Sequence, residues 1–126
     1  QADRRYLHKN AEVGFELSKT KEYVMKRLKQ MGFAPKPIGR GAIIAEIGDS
    51  NRGRCLLRAD MDALPITEKS GEYFSAKNGN MHACGHDMHT AMLLGAAELL
   101  KRKEKQLKTS VRLLFQAAEE PFLPAP

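Results

Sequence analysis

Met81-His-Ala-Cys-Gly-His-Asp-Met-His-Thr90 decides how this chain is read: it holds one thiol, Cys84, three imidazoles, His82, His86 and His89, and one carboxylate, Asp87. The chain has only one other histidine, His8. Cys84 and His86 lie two residues apart. On an extended backbone their side chains share one side, the disposition a metal ion asks of neighbouring ligands. Thr90-Ala-Met-Leu-Leu-Gly-Ala-Ala-Glu-Leu-Leu100 follows directly and reads as an almost wholly apolar, buried helix. A disordered metal-scavenging tract would not run on into a core helix, so the cluster belongs to a folded site.

The chain has 126 residues and 42% hydrophobic content, which suits one compact domain with a real core. It opens on Gln1, so the lack of a signal segment carries no weight. No stretch is apolar for the length that a bilayer crossing needs, and no membrane partner is expected. The formal charge of +6 raises the question of nucleic acid. Its lysines, however, concentrate within residues 19–29 and 101–108, on the outer faces of predicted helices, and aromatic residues are only 6% of the chain, too few for a base-stacking surface. No nucleic-acid partner is expected. Two cysteines are too few for a disulfide scaffold and fit a reducing, cytoplasmic setting. Cys55 falls in a predicted core strand, so a bridge to Cys84 is not expected.

Along the chain, residues 3–8 read as helix and residues 8–16 as loop. A second helix starts at Ser18: Leu17, Val24, Leu28 and Met31 recur at helical spacing, lysines fill the other face, and Gly32 stops it. Residues 33–38 are interrupted by Pro35 and Pro37 and make at best an edge strand. Residues 41–47 and 54–59 are β-rich, and the polar link 48–53 predicts a hairpin between them. The second strand runs into Asp60-Met-Asp62, and residues 67–80 form a loop. After the central helix, Ser110-Val-Arg-Leu-Leu-Phe-Gln116 reads as a buried strand ending on Ala117-Ala-Glu-Glu120. The predicted class is α/β, a mixed sheet flanked by helices.

Asp60/Asp62, Cys84/His86 and Glu119/Glu120 each fall at a predicted strand end or helix mouth, where open α/β sheets place their sites. A thiolate and a neutral imidazole suit zinc; added carboxylates would also accept manganese or cobalt. The alternative for Cys84 and His86 is a small core residue beside a satisfied polar one. Asp60 and Asp62 are either caps, the commonest duty of such carboxylates, or the support of a ligand imidazole, or a ligand. Glu119 and Glu120 are adjacent, so on an extended backbone they point opposite ways: one reaches a metal and the other serves as general base. His82 and His89 stay open, and His8 is read as structural.

Four segments, in order and at familiar distances, carry a resemblance: Leu7-His-Lys-Asn-Ala-Glu-Val-Gly-Phe-Glu16, Leu57-Arg-Ala-Asp-Met-Asp-Ala-Leu-Pro-Ile66, Met81-His-Ala-Cys-Gly-His-Asp-Met-His-Thr-Ala91 and Phe115-Gln-Ala-Ala-Glu-Glu120. Together they resemble the N-terminal catalytic half of the metal-dependent amidohydrolases, which include hippurate hydrolase, N-acyl-amino-acid amidohydrolase and the indoleacetyl-amino-acid hydrolases. These are relatives of aminoacylase and carboxypeptidase G. The resemblance implies a partial, zinc-peptidase-like catalytic domain over residues 1–120. It implies Cys84 and His86 as metal ligands, Cys84 bridging two divalent ions (zinc or manganese), with Glu120 as third ligand. Glu119 becomes the general base and Asp62 the carboxylate that supports a ligand imidazole. The implied reaction is metal-assisted cleavage of the amide of a small N-acyl amino acid or dipeptide-like substrate. Glu119 takes a proton from water and returns it to the leaving amine. The implied full-length form is a homo-oligomer.

The departures are specific. Ala117 stands where the family usually has proline, and Pro121-Phe-Leu-Pro-Ala-Pro126 reads as a Pro-rich, non-family tail. The resemblance implies two further histidine ligands and an inserted smaller domain that shapes the substrate pocket and mediates dimerisation, and these are expected to lie outside residues 1–126. The expectation is a weak metal binder and a poor or inactive enzyme as this chain alone. The alternative is a non-catalytic, truncated remnant that binds a partner or self-associates through uncovered apolar surface. A structural zinc module would need four ligands in two close pairs and ranks below both. Nothing in the sequence assigns substrate-binding residues.

Overall fold

A computed structural model describes residues 1–120, in the order α1 (Ala2–Lys9), α2 (Ser18–Gln30), β1 (Lys36–Ile38), β2 (Ala42–Ile47), β3 (Arg54–Asp60), α3 (His86–Arg102) and β4 (Ser110–Gln116). The expected Pro-rich tail, residues 121–126, lies outside the described residues. The four strands form one mixed sheet in the order β1-β2-β4-β3. β4 is central. It pairs antiparallel with β2, Ile43 opposite Phe115, and parallel with β3, Ala59 opposite Phe115. Val111, Leu113 and Phe115 alternate along β4 and are buried, as a period of two requires on the face that meets the helices. They join Val24 and Leu28 of α2, Leu93, Leu94 and Ala97 of α3, and Ile43, Ala45 and Ile47 of β2 in a single core. The opposite face is polar toward its edge, with Glu46 of β2 paired to Arg112 of β4.

The expected α/β class is what forms, but the expected hairpin between residues 41–47 and 54–59 is not. β4 lies between those two strands, and β2 does not pair with β3. The polar link instead makes a short 3-10 turn, Ser50–Arg52, in which the Asp49 carboxylate accepts from Asn51 N (2.9 Å). The reason is the crossover. α3 follows β3 and returns the chain to lay β4 parallel beside it, a βαβ unit, and this takes the edge that a hairpin would have used. β1 is the edge strand expected of a segment holding Pro37.

α2 begins without a local cap, since Leu17 precedes it. The Glu12 carboxylate does that work from six to eight residues upstream, accepting from Ser18 Oγ (3.2 Å), Lys19 N (3.1 Å), Thr20 N (2.8 Å) and Thr20 Oγ1 (2.8 Å). Gly32, at φ 89°, ends α2 as expected. The helix expected over residues 90–100 starts earlier, at His86, and is not buried all round: Met88, Met92 and Leu99 are exposed. Cys55, expected in a core strand, lies on the exposed part of β3; it and Cys84 are free thiols. Among the described residues no helix is long and apolar enough to cross a membrane.

Candidate metal centre

β3 and β4 are parallel, so both end on one side of the sheet, where α3 begins. Two hydrogen bonds fix the three ends together: Met61 N to Gln116 O (2.8 Å) and Thr90 Oγ1 to Asp60 O (2.8 Å). Gly85 turns the chain at φ 82°, a left-handed conformation that costs a side-chain-bearing residue, and His86 becomes the first residue of α3. The link from Cys84 to His86 is therefore a tight turn, not the extended dipeptide expected. The His86 ring is buried, with Nδ1 2.8 Å from the Asp62 backbone carbonyl. A carbonyl only accepts, so Nδ1 carries a hydrogen, and in the neutral form of such a ring the lone pair is on Nε2. Around that nitrogen stand Asp60 Oδ1 at 3.6 Å, Glu119 Oε2 at 3.6 Å and Glu120 Oε1 at 3.7 Å.

The two glutamates arrive there by a backbone device. Ala118 adopts φ 51° in the left-handed region and donates its N–H to Gly14 O (3.1 Å). The chain therefore leaves β4 in a bend, and the N–H groups of Glu119 and Glu120 both reach the buried Asp62 carboxylate, at 3.1 and 3.0 Å. Glu119 and Glu120 thus converge on His86 instead of diverging as an extended pair. Asp62 serves the imbricated parts at once. Its carbonyl takes the His86 Nδ1–H, while its carboxylate, 3.4 Å from the same nitrogen, holds the glutamate backbone.

His89, one turn along α3, donates Nδ1–H to Asp60 Oδ1 (2.6 Å) and lies against the His86 ring, centroids 5.5 Å apart. Burial works against the charge on Asp60, but the His89 hydrogen bond and the neighbouring His86 hold its carboxyl below the usual range. Cys84 is exposed, and its hydrogen bond to Glu120, reinforced by desolvation and the nearby carboxylates, pushes its thiol up. His82 is buried with both ring nitrogens unpartnered among the described residues, and desolvation pushes it down to about 4. Among the described residues, two groups of three donors could hold a cation, Asp60/His86/His89 and His86/Glu119/Glu120, and they share His86. An oriented imidazole lone pair facing carboxylates, with a thiol on Glu120, is a donor chemistry that fits a divalent cation. Asp60 and His89 were the residues least decided by the sequence. The signal for them was spacing, since His86 and His89 share one helix face and Asp60 shares a strand end with Asp62.

Imidazole, carboxylate and thiol donors gathered at the carboxyl ends of parallel strands give a site the chemistry to hold a divalent cation. Residues 56–122 match Peptidase family M20/M25/M40, and the chain belongs to that family. It is 48% identical over 120 residues to an N-acetyl-L-cysteine deacetylase of Bacillus subtilis, covering 93% of this chain and 29% of that protein. It is 47% identical over 119 residues to an IAA-amino acid hydrolase of Arabidopsis thaliana, covering 93% of this chain and 27% of that one. The crystal structure of a dinuclear metal-binding peptidase of the M20 family from Bacillus subtilis superposes with a TM-score of 0.88 at 38% identity, over 94% of this chain and 34% of that chain. The chain thus spans about a third of the length of the relatives it matches.

Proposed function

We propose that this chain carries part of the catalytic domain of a metal-dependent amidohydrolase that cleaves the amide bond of N-acyl amino acids. The observation that carries the reading is the His86 Nε2 lone pair, set 3.6–3.7 Å from Glu119 and Glu120 by the Asp62 carbonyl and carboxylate. Cys84, His86 and Glu120 would hold divalent metal, zinc or manganese. When bound, the metal supplies electrophilic activation of the amide carbonyl and acidifies water. Glu119, the more exposed of the two glutamates at 39% of its side chain against 19%, is left to take a proton and return it to the leaving amine. Asp62 orients both the imidazole and the glutamates. The names of the relatives, an N-acetyl-L-cysteine deacetylase and an IAA-amino acid hydrolase, support a small N-acyl amino acid as substrate. A homo-oligomeric whole protein and, from its free thiols, a cytoplasmic setting belong to the same reading.

Elemental analysis of the purified chain after zinc or manganese loading tests the metal half. Metal bound by the wild type and lost in Cys84→Ala and His86→Ala supports it; equal content in all three overturns it. Cleavage of N-acetyl amino acids, absent in Glu119→Gln, tests the rest.

A second reading rests on a separate observation. β3 is an edge strand with Leu56 on it 56% exposed, and Met92 of α3, which lines a cavity with Leu57 and Ala59 of β3, is 65% exposed. Such an edge favours self-association. Sedimentation showing a dimer that Met92→Glu returns to monomer would support a self-associating module.

A further inference from the structure

The sequence reads His8 as structural and the metal centre does not use it, yet both of its ring nitrogens are paired with carboxylates. Its Nδ1 lies 2.8 Å from Asp87 Oδ2 and its Nε2 2.9 Å from Glu68 Oε1, and both carboxylate side chains are 1% exposed. Asp87 also accepts from Arg4 Nε at 3.0 Å. Glu68 accepts from Ser70 Oγ at 2.6 Å and from Ala76 N at 2.6 Å, which ties down the loop that contains it. An ionised carboxylate only accepts, so two of them on opposite ring nitrogens require both nitrogens to carry hydrogen. The groups facing His8 are Arg4 from its own helix, Glu68 and His82 from the loops, and Asp87 from α3. His82 lies farther off, its ring 6.3 Å from that of His8, so within hydrogen-bond reach of the two acids the cationic side chains are His8 and Arg4. Burial lowers His8, but the hydrogen bonds to Glu68 and Asp87 outweigh it and raise the group above its ordinary value.

We infer that His8 is a positioning residue, an imidazolium that clamps Glu68 to Asp87 and so braces the Cys84–His86 turn from behind. Asp87 is the residue after His86, so α1, the loop after Asp62 and the mouth of α3 are joined through one ring. The consequence for metal rests on the proposed metal centre; the clamp itself does not.

The test has two arms on the full chain. Nitrogen-15 NMR of the imidazole should show His8 doubly protonated at pH 7, with its titration midpoint above 6.5, while a neutral ring at pH 7 overturns the inference. Zinc affinity at pH 6.5 should fall about tenfold in His8→Gln, which leaves two facing carboxylates, and return to within about threefold of wild type in His8→Gln with Glu68→Gln, which removes one of them. A double variant no better than the single one overturns the positioning role. If the wild-type chain binds no zinc, the metal reading fails while the NMR arm still decides the clamp.

Discussion

Asp62→Ala removes the group on which the geometry of the centre most depends. The Asp62 side chain is fully buried and accepts two backbone N–H groups, from Glu119 at 3.1 Å and Glu120 at 3.0 Å. Hydrogen bonds to a charged group contribute roughly 1.5–3 kcal/mol each, so the pair bounds the loss at roughly 3–6 kcal/mol. Glu119 is exposed, so water can re-satisfy its N–H, and the expected loss is roughly 2–4 kcal/mol. With a urea dependence of roughly 2 kcal/mol per molar, the midpoint of unfolding should fall by about 1–2 M. Asp62→Asn, which keeps the shape and one accepting oxygen, should fall by about half as much. Hydrogen exchange of the Glu119 and Glu120 amides should quicken in both. A midpoint within about 0.2 M of wild type would refute the reasoning. So would a large drop in midpoint with those two amides unchanged, because the loss would then have come from elsewhere.

Gly85→Ala should lose about 1–2 kcal/mol from the left-handed turn, read as a lower melting temperature, because a Cβ there is strained at φ 82° and meets only the flexible Met88 side chain at 3.2 Å. Glu120→Gln should make Cys84 alkylate several-fold faster at pH 8, since the carboxylate that holds the proton on the thiol is gone; peptide mapping after iodoacetamide, with Cys55 as internal reference, reads the rate. His8 is raised, so its contribution is fully present below about 6.5 and is lost as pH rises through the folded value; Glu68 is lowered, so its contribution is present above about 4.3 and is lost as pH falls through its folded value. Stability should therefore peak between those limits, and His8→Gln should shrink the alkaline decline measured by urea titration at pH 6 and pH 9, leaving the part that the raised Cys84 thiol contributes. Phe115→Ala, in the middle of the central strand with no exposed surface, should cost about 3–5 kcal/mol by the same assay.

Much of this chain was decided locally. The helical spacing of Leu17, Val24 and Leu28, the stop at Gly32, the alternation along β4 and the packing of donors into residues 81–90 are properties of short windows, because periods of 3.6 and 2 and a left-handed turn need only near neighbours. The class of fold and the three clusters of donors follow from such windows. Which strands pair does not. The link between β2 and β3 has hairpin chemistry, and only the βαβ crossover, a relation between segments more than twenty residues apart, inserts β4 between them. The same holds for the centre. Whether Glu119 and Glu120 diverge or converge depends on the left-handed Ala118 and on Asp62 across the sheet. Likewise His8 becomes a clamp only when Glu68 and Asp87, distant in sequence, are buried against its two nitrogens. Sequence names the chemistry available, since side-chain type is fixed residue by residue. Tertiary structure assigns the partners, since a buried polar atom takes whichever acceptor or donor folding brings within about 3 Å.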